Sequence, residues 1–132
     1  MALHLPAIVT LLALFLFLYS CLAVGMARIK YGVAAPATTG NLDFERIFRV
    51  QMNTLEHLVL FLPALWLFSD YVSPVWAGLV GLVWLVGRLY YAVSYIKDAK
   101  SRGPGFVIGF VALLVLMIGA AVGIVLRMMA GL

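Results

Sequence analysis

Four long apolar runs, separated by short polar stretches, dominate the pattern of hydrophobic and polar positions along the chain. None of them carries Asp, Glu, Lys or Arg: they span residues 5–27, 57–69, 71–87 and 103–126. A helix needs about 20 residues to cross the hydrocarbon core of a bilayer. The outer two runs meet that length, and the inner two need their charged flanks to reach the headgroups or the bundle interior. The pattern predicts an all-α membrane protein, a bundle of four transmembrane helices.

Residues with strong local preferences place the ends of these helices. We predict helices over residues 6–29, 43–71, 74–100 and 106–129, forming one domain over residues 1–132. The Gly-, Pro- and Thr-containing stretch 31–41 predicts a loop, with Asn41 or Asp43 capping the second helix. Ser73 before Pro74 predicts the start of the third helix, and Gly103-Pro104-Gly105 predicts its end. The first run lacks a basic flank on its N-terminal side, which favours a retained helix over a cleaved signal peptide.

Composition and charge support a membrane protein and predict its orientation. Hydrophobic residues make up 66% of the chain and charged residues 11%, against about 25% charged in soluble domains. Lys and Arg flank the first and third connections, while the second has only Asp70. The positive-inside rule therefore predicts that both termini lie on the non-cytoplasmic side. The short chain suggests a bacterial inner membrane, and no soluble domain is present to bind nucleic acid.

Two rows of polar side chains interrupt the apolar pattern on the cytoplasmic side. Helical spacing of three, four and three residues aligns the first row along the second helix: Arg46, Arg49, Asn53 and Glu56. Spacing of three, four, three and four residues aligns the second row along the third helix: Arg88, Tyr91, Tyr95, Asp98 and Arg102. Such groups are costly in a membrane helix unless they face a partner, a wet cavity or a ligand.

The side chains in these rows indicate what kind of ligand would fit. No second histidine stands at a metal-ligand spacing from His57, and no Ser-His-carboxylate set is evident. Arginines bind carboxylates, a carboxylate binds an amine, and Asn53 and Gln51 suit peptide amides. A small zwitterionic peptide with two carboxylates and one amine matches this set. An anionic lipid headgroup matches it less well, and ion pairing between neighbouring helices remains a purely structural alternative.

Three motifs in chain order resemble the MAPEG family, the membrane-associated proteins of eicosanoid and glutathione metabolism. The central motif is Phe44-Glu45-Arg46-x-x-Arg49-x-Gln51-x-Asn53-x-x-Glu56, followed by Phe61-Leu62-Pro63-Ala64-Leu65-Trp66. The others are Ala27-Arg28 with Pro36-x-Thr38-Thr39-Gly40, and Gly87-Arg88-Leu89-x-Tyr91-x-x-x-Tyr95 with Arg102. The most similar branch is that of microsomal glutathione transferases and leukotriene C synthase.

The resemblance implies a homotrimer of four-helix protomers, with glutathione bound at each subunit interface near the cytoplasmic face. It implies that glutathione is held by Arg28, Arg49, Gln51, Asn53, Glu56, Tyr91 and Tyr95, with His57 as a weaker candidate. It implies that Arg102 is the catalytic residue and faces the thiol. A thiol has a pKa of about 8.5, and a neighbouring guanidinium favours the nucleophilic thiolate. The expected activity is glutathione transfer to hydrophobic electrophiles, with lipid hydroperoxides as a second acceptor class and membrane lipid as a partner.

Two departures from the motif and two other functional classes complete the set of hypotheses. Ile29 stands where leukotriene C synthase has a second arginine, which argues against that enzyme's epoxide substrate. His57 stands where that enzyme has a tyrosine. A non-catalytic lipid-binding scaffold of the same fold is the main alternative, and the basic and tyrosine set, above all Arg102, favours an enzyme over it. A small exporter would need a lone carboxylate in a membrane helix, whereas Glu56 lies among cations and amides.

Overall fold

The computed structural model describes residues 2–132 and contains four long helices. These are α1 (Leu5–Tyr31), α2 (Leu42–Tyr71), α3 (Pro74–Lys97) and α4 (Gly103–Met129), with short 3-10 helices at Ala2–His4 and Ala99–Arg102. All four long helices are long and apolar enough to cross a membrane. The predicted all-α bundle of four transmembrane helices is therefore confirmed.

The caps of α1, α2 and α3 follow from short-range chemistry. Gly32 adopts a left-handed conformation (φ 66°) and its N–H bonds to the Arg28 carbonyl, which ends α1 two residues later than predicted. Of the two predicted caps of α2, Asn41 is the one used, since its side chain accepts a hydrogen bond from the Phe44 N–H. The Ser73 side chain likewise accepts from the Trp76 N–H and begins α3 at the predicted residue.

The segment between α3 and α4 differs from its prediction. We predicted that α3 runs to residue 100 and that Gly103-Pro104-Gly105 stops it, but α3 ends at Lys97 and this triplet begins α4. The Asp98 side chain accepts a hydrogen bond from the Lys100 N–H and starts a separate 3-10 turn. Proline fits the first turn of a helix because its missing N–H has no partner to lose there. Arg102 therefore ends the 3-10 helix Ala99–Arg102 instead of continuing the polar row of α3.

The centre of the bundle lies between α2 and α3, each of which contacts all three other long helices. Phe61 of α2 and Trp84 of α3 are fully buried and stack with ring centroids 3.8 Å apart. Large apolar side chains are exposed along every helix, including Ile29 (86% exposed) and Ile118 (61% exposed). A soluble surface rarely carries apolar area on this scale, so this outer surface faces lipid.

Glycines let α4 approach α3 closely where the polar end of the bundle begins. A Cβ on Gly87 would lie 2.6 Å from the backbone nitrogen of Gly109. A Cβ on Gly105 would collide with the Tyr91 backbone, lying 2.7 Å from its Cα. The backbone of α4 therefore rests directly on α3 beside Tyr91. This contact determines where the preceding residue Arg102 stands relative to the tyrosines of α3.

We predict that Gly105→Ala separates the two helices and lowers stability. The added methyl meets backbone atoms that cannot rotate away, and overpacking of this kind costs about 1–3 kcal/mol. Thermal unfolding in detergent should show a lower midpoint.

Gly25→Ala is the matched control, because nothing lies within 4 Å of a Cβ at this position in α1. Alanine is the better helix former, so this variant should be as stable as wild type or more stable. Equal stability of the two variants would show that α3 and α4 are not held at backbone contact.

Candidate functional site

One cavity at the polar end of the bundle collects side chains from both predicted polar rows. Its volume is about 480 Å³. Its lining comes from α2, α3, the 3-10 helix and α4: Arg49, Asn53, Tyr91, Tyr95, Arg102 and Phe106. The two rows therefore converge on one shared space and do not point into separate surroundings.

Aromatic contacts organise the side of this cavity formed by α3. Tyr91 and Tyr95 lie one turn apart and their rings stack at 5.6 Å with an interplanar angle of 28°. The Arg102 guanidinium lies 5.6 Å from the centroid of the Tyr95 ring. Phe106, one turn after Arg102, lies 6.2 Å from the Tyr91 ring. A cation over an aromatic face is attracted by the ring, so Tyr95 helps to keep Arg102 at the cavity although Arg102 lies outside α3.

A buried arginine lies behind the cavity wall. Arg88 is 1% exposed, and its guanidinium donates hydrogen bonds to Asn53 Oδ1 at 2.8 Å and Thr54 Oγ1 at 3.0 Å. It also lies 4.4 Å from the centroid of the Tyr91 ring. Arg88 of α3 therefore binds to α2 through Asn53 and Thr54. Two of the residues it contacts, Asn53 and Tyr91, line the cavity.

A second cavity of about 400 Å³ adjoins the first. The two share Arg49 and Tyr95, and the remaining lining comes from the loop and the start of α2: Thr38, Leu42, Glu45, Arg46, Phe48 and Met52. Arg49 is exposed on α2 and therefore accessible from both spaces. An elongated ligand could extend from one cavity to the other past this guanidinium.

Two predicted ligand residues, Arg28 and Gln51, lie away from this cavity within the protomer. Gln51 is two residues after Arg49, which places it about 200° around the helix, and its side chain donates to Cys21 Sγ of α1 at 3.2 Å. Arg28 donates to the carbonyls of Val33 and Ala37 and stacks over Phe44 at 5.0 Å. In one protomer, these side chains hold α1 and the first loop.

Glu56 and His57 complete the predicted set and also stand outside the cavity lining. Glu56 is exposed on α2. His57 is 7% exposed, and its ring meets Phe106 edge-on at 5.6 Å. Its Nδ1 is buried without a hydrogen-bond partner. His57 therefore supports the wall that Phe106 forms.

Sequence patterns missed two contributors to the site. Phe106 was predicted only as the beginning of the fourth helix, yet it lines the cavity. Arg88 was placed in the polar row of α3 but without a role, and nothing in its spacing indicated that it bonds to α2. The available signal was the position of Arg88 itself. It is a charged residue in an otherwise uncharged stretch, shortly before the tyrosines that line the cavity.

The cavity has the chemistry of a site for an anionic ligand. Two guanidinium groups, from Arg49 and Arg102, border the same space, and arginine binds carboxylates through paired hydrogen bonds. Tyr91 and Tyr95 add ring faces and hydroxyl groups, and Asn53 adds an amide. A guanidinium in a partly desolvated space also stabilises a thiolate relative to a thiol.

Comparison with known proteins identifies the family. Residues 6–122 match the MAPEG family. An uncharacterized protein of Synechocystis is 51% identical over 119 residues, covering 90% of this chain and 87% of that protein. Microsomal glutathione S-transferase 2 of Homo sapiens is 44% identical over 101 residues, covering 75% of this chain and 69% of that protein. Leukotriene C4 synthase of Rattus norvegicus is 37% identical over 125 residues, covering 95% and 83%.

The family match spans nearly the whole chain and includes α2, α3, most of α1 and α4, and the residues that line the cavity. The resemblance predicted from three short motifs is confirmed. This chain is an integral membrane protein and a member of the MAPEG family.

Proposed function

We propose that this protein is a membrane-embedded glutathione transferase that acts on hydrophobic electrophiles. The observation that carries the proposal is the convergence of Arg49 and Arg102 with Tyr91 and Tyr95 on one cavity. Relatives from two groups support it, since they are named microsomal glutathione S-transferase 2 and leukotriene C4 synthase. A lipid-binding scaffold would not need two guanidinium groups beside a polar cavity.

The cavity residues suit the groups that glutathione presents. Of its two carboxylates, one matches Arg49, and Arg28 is the other arginine that the family resemblance assigns to glutathione. Its peptide amides match Asn53, and its apolar surface matches the tyrosine rings. The Arg102 guanidinium would stand beside the sulfur and favour the thiolate. The thiol proton leaves to water, the sulfur lone pair forms a bond to the electrophilic carbon, and the leaving group departs with its bonding pair. Catalysis then comes from proximity and thiolate stabilisation.

The lipid-facing surface suggests how the second substrate arrives. Apolar side chains cover the outside of the bundle, so a hydrophobic electrophile dissolved in the bilayer can reach the protein laterally. Glutathione is polar and enters from the aqueous side. Lipid hydroperoxides as a second acceptor class stay a prediction.

We propose that the complete site forms between subunits of a homotrimer. Arg28 of α1 and Gln51 of α2 lie away from the cavity within one protomer, where these two helices meet. An adjacent subunit could bring this face to the cavity. Such an arrangement would let all the residues implied by the family resemblance contact one glutathione molecule. Glu56, which is exposed on α2, would lie at the edge of that site.

We propose that the cavity opens to the cytoplasm and that both termini lie on the opposite side of the membrane. Four spanning helices put both ends on one side, and the basic connections favour the cytoplasm. The Synechocystis relative is consistent with a bacterial membrane.

Replacement of Arg102 tests the chemical step. Purified wild-type protein in detergent should conjugate glutathione to an aryl halide, and bound glutathione should show thiolate absorbance in the ultraviolet. We expect Arg102→Gln to lower kcat about tenfold or more with a smaller change in glutathione affinity, because each unit of raised thiol pKa removes about tenfold of the thiolate. The variant should regain activity as the pH rises toward the ordinary thiol pKa.

Lys100→Gln is the matched control for this experiment. Lys100 is a second exposed cation of the same 3-10 helix and does not line the cavity, so its loss should leave kcat unchanged. A wild type that neither binds nor turns over glutathione contradicts the proposed function. If both replacements lower kcat equally, Arg102 acts only through its general positive charge and has no specific role beside the thiol.

Mixed assemblies test whether the site is shared. Arg49→Ala should remove a ligand contact at the cavity, and Gln51→Ala should remove one at the face that carries Arg28 and Gln51. Each variant alone should therefore be weakly active. Coexpression with two different affinity tags should yield mixed trimers in which an intact cavity meets an intact face. Activity of doubly purified assemblies above that of either variant supports the shared site, and no recovery argues for a site within one protomer.

Reporter fusions test the orientation. A reporter that is active only in the periplasm should be active when it is joined after Leu132. In the loop after Gly32, that reporter should be inactive and a reporter that is active only in the cytoplasm should be active. The reverse pattern would place the cavity on the non-cytoplasmic side and exclude cytoplasmic glutathione as the direct source.

A further inference from the structure

The Arg88 guanidinium is buried behind the cavity wall, where it contacts residues that line the cavity. The residue is 1% exposed and is absent from the cavity lining. A buried charge inside a membrane helix is costly and requires partners. Two of those partners are side-chain oxygens of consecutive α2 residues, Asn53 and Thr54.

The bond from Arg88 decides which end of the Asn53 amide is available to a ligand. An asparagine side chain has an acceptor oxygen and a donor NH₂ group, and either can in principle face a neighbour. A guanidinium has only donors, so it can bond to the oxygen and never to the NH₂ group. With Oδ1 held by Arg88 at 2.8 Å, the group that Asn53 can offer to another acceptor is its NH₂.

Two further contacts restrict Arg88 itself. Its second terminal nitrogen donates to Thr54 Oγ1 at 3.0 Å. Its guanidinium carbon lies 4.4 Å from the centroid of the Tyr91 ring. The guanidinium is thus held in one plane between α2 and α3, and Asn53 and Tyr91, which both line the cavity, are positioned through it.

We propose that Arg88 is a positioning residue that makes Asn53 an obligate hydrogen-bond donor toward the cavity. The wall at Asn53 then selects ligands that present a carbonyl or carboxylate oxygen there and disfavours ligands that present an N–H group. Applied to glutathione, this inference rests on the proposed function, and it assigns to Asn53 an oxygen of the tripeptide.

Asn53→Asp gives the most direct test, because it keeps the shape of the side chain and replaces the cavity-facing donor with a charged acceptor. The new side chain has the same shape and keeps an oxygen for Arg88, so thermal stability should be equal to that of wild type or higher. The NH₂ group becomes an oxygen that faces the ligand oxygen. We expect glutathione affinity, measured by calorimetry in detergent, to fall about tenfold or more. Unchanged affinity would show that the ligand does not accept a hydrogen bond from Asn53.

Arg88→Met completes the experiment by releasing Asn53 without emptying the space. Methionine fills much of the volume of the arginine stem and carries no donor, so the amide becomes free to turn. Glutathione affinity should again fall about tenfold. Adding Asn53→Asp to this variant should cost less than it does in wild type, because the two residues act through one hydrogen bond. Arg88→Lys, which keeps a donor, should bind better than Arg88→Met.

Arg127→Met is the control, since it makes the same chemical change at the opposite end of the bundle, where Arg127 donates to the Asp70 carbonyl. It should bind glutathione like wild type. If wild type binds glutathione and Asn53→Asp binds it equally well, the positioning role is wrong while the proposed function stands. If wild type does not bind glutathione, both are overturned. Should Arg88→Met fail to fold, Asn53→Asp alone decides the question.

Discussion

The cost of placing polar side chains in membrane-spanning helices is the constraint on which this structure depends. Arg88 lies within α3 where lipid cannot solvate it, and it is stable there because Asn53 and Thr54 of α2 accept its hydrogen bonds. These bonds require α2 and α3 to present their polar sides to each other. The cavity is a consequence, since the adjacent residues of both helices then border the same space.

The position of Arg102 depends on a second constraint, the close approach of α4 to α3. Arg102 belongs to neither long helix, so no helical periodicity fixes its direction. Gly105 brings the start of α4 against the Tyr91 backbone, and the Tyr95 ring attracts the guanidinium. A small residue three positions along the chain therefore helps to determine where the proposed catalytic cation stands.

The proposed ligand residues lie in two different surroundings. Arg49 and Asn53 face the cavity, while Gln51 contacts Cys21 of α1 and Arg28 holds the first loop. A single protomer thus has a cation-lined cavity on one side and further polar side chains where α1 meets α2. This division is what the proposed site between neighbouring subunits requires.

The sequence by itself determined the number of helices, the cap at Ser73 and the alignment of the polar row along α2, because these depend on hydropathy and on contacts within a few residues. The family also followed from sequence, through motifs that hold their spacing. Only the tertiary structure decided that α4 begins at Gly103, that Arg88 bonds to α2, and that Phe106 lines the cavity. These features arise from contacts between helices, and helical spacing within one segment carries no information about which side chain of another segment will meet it.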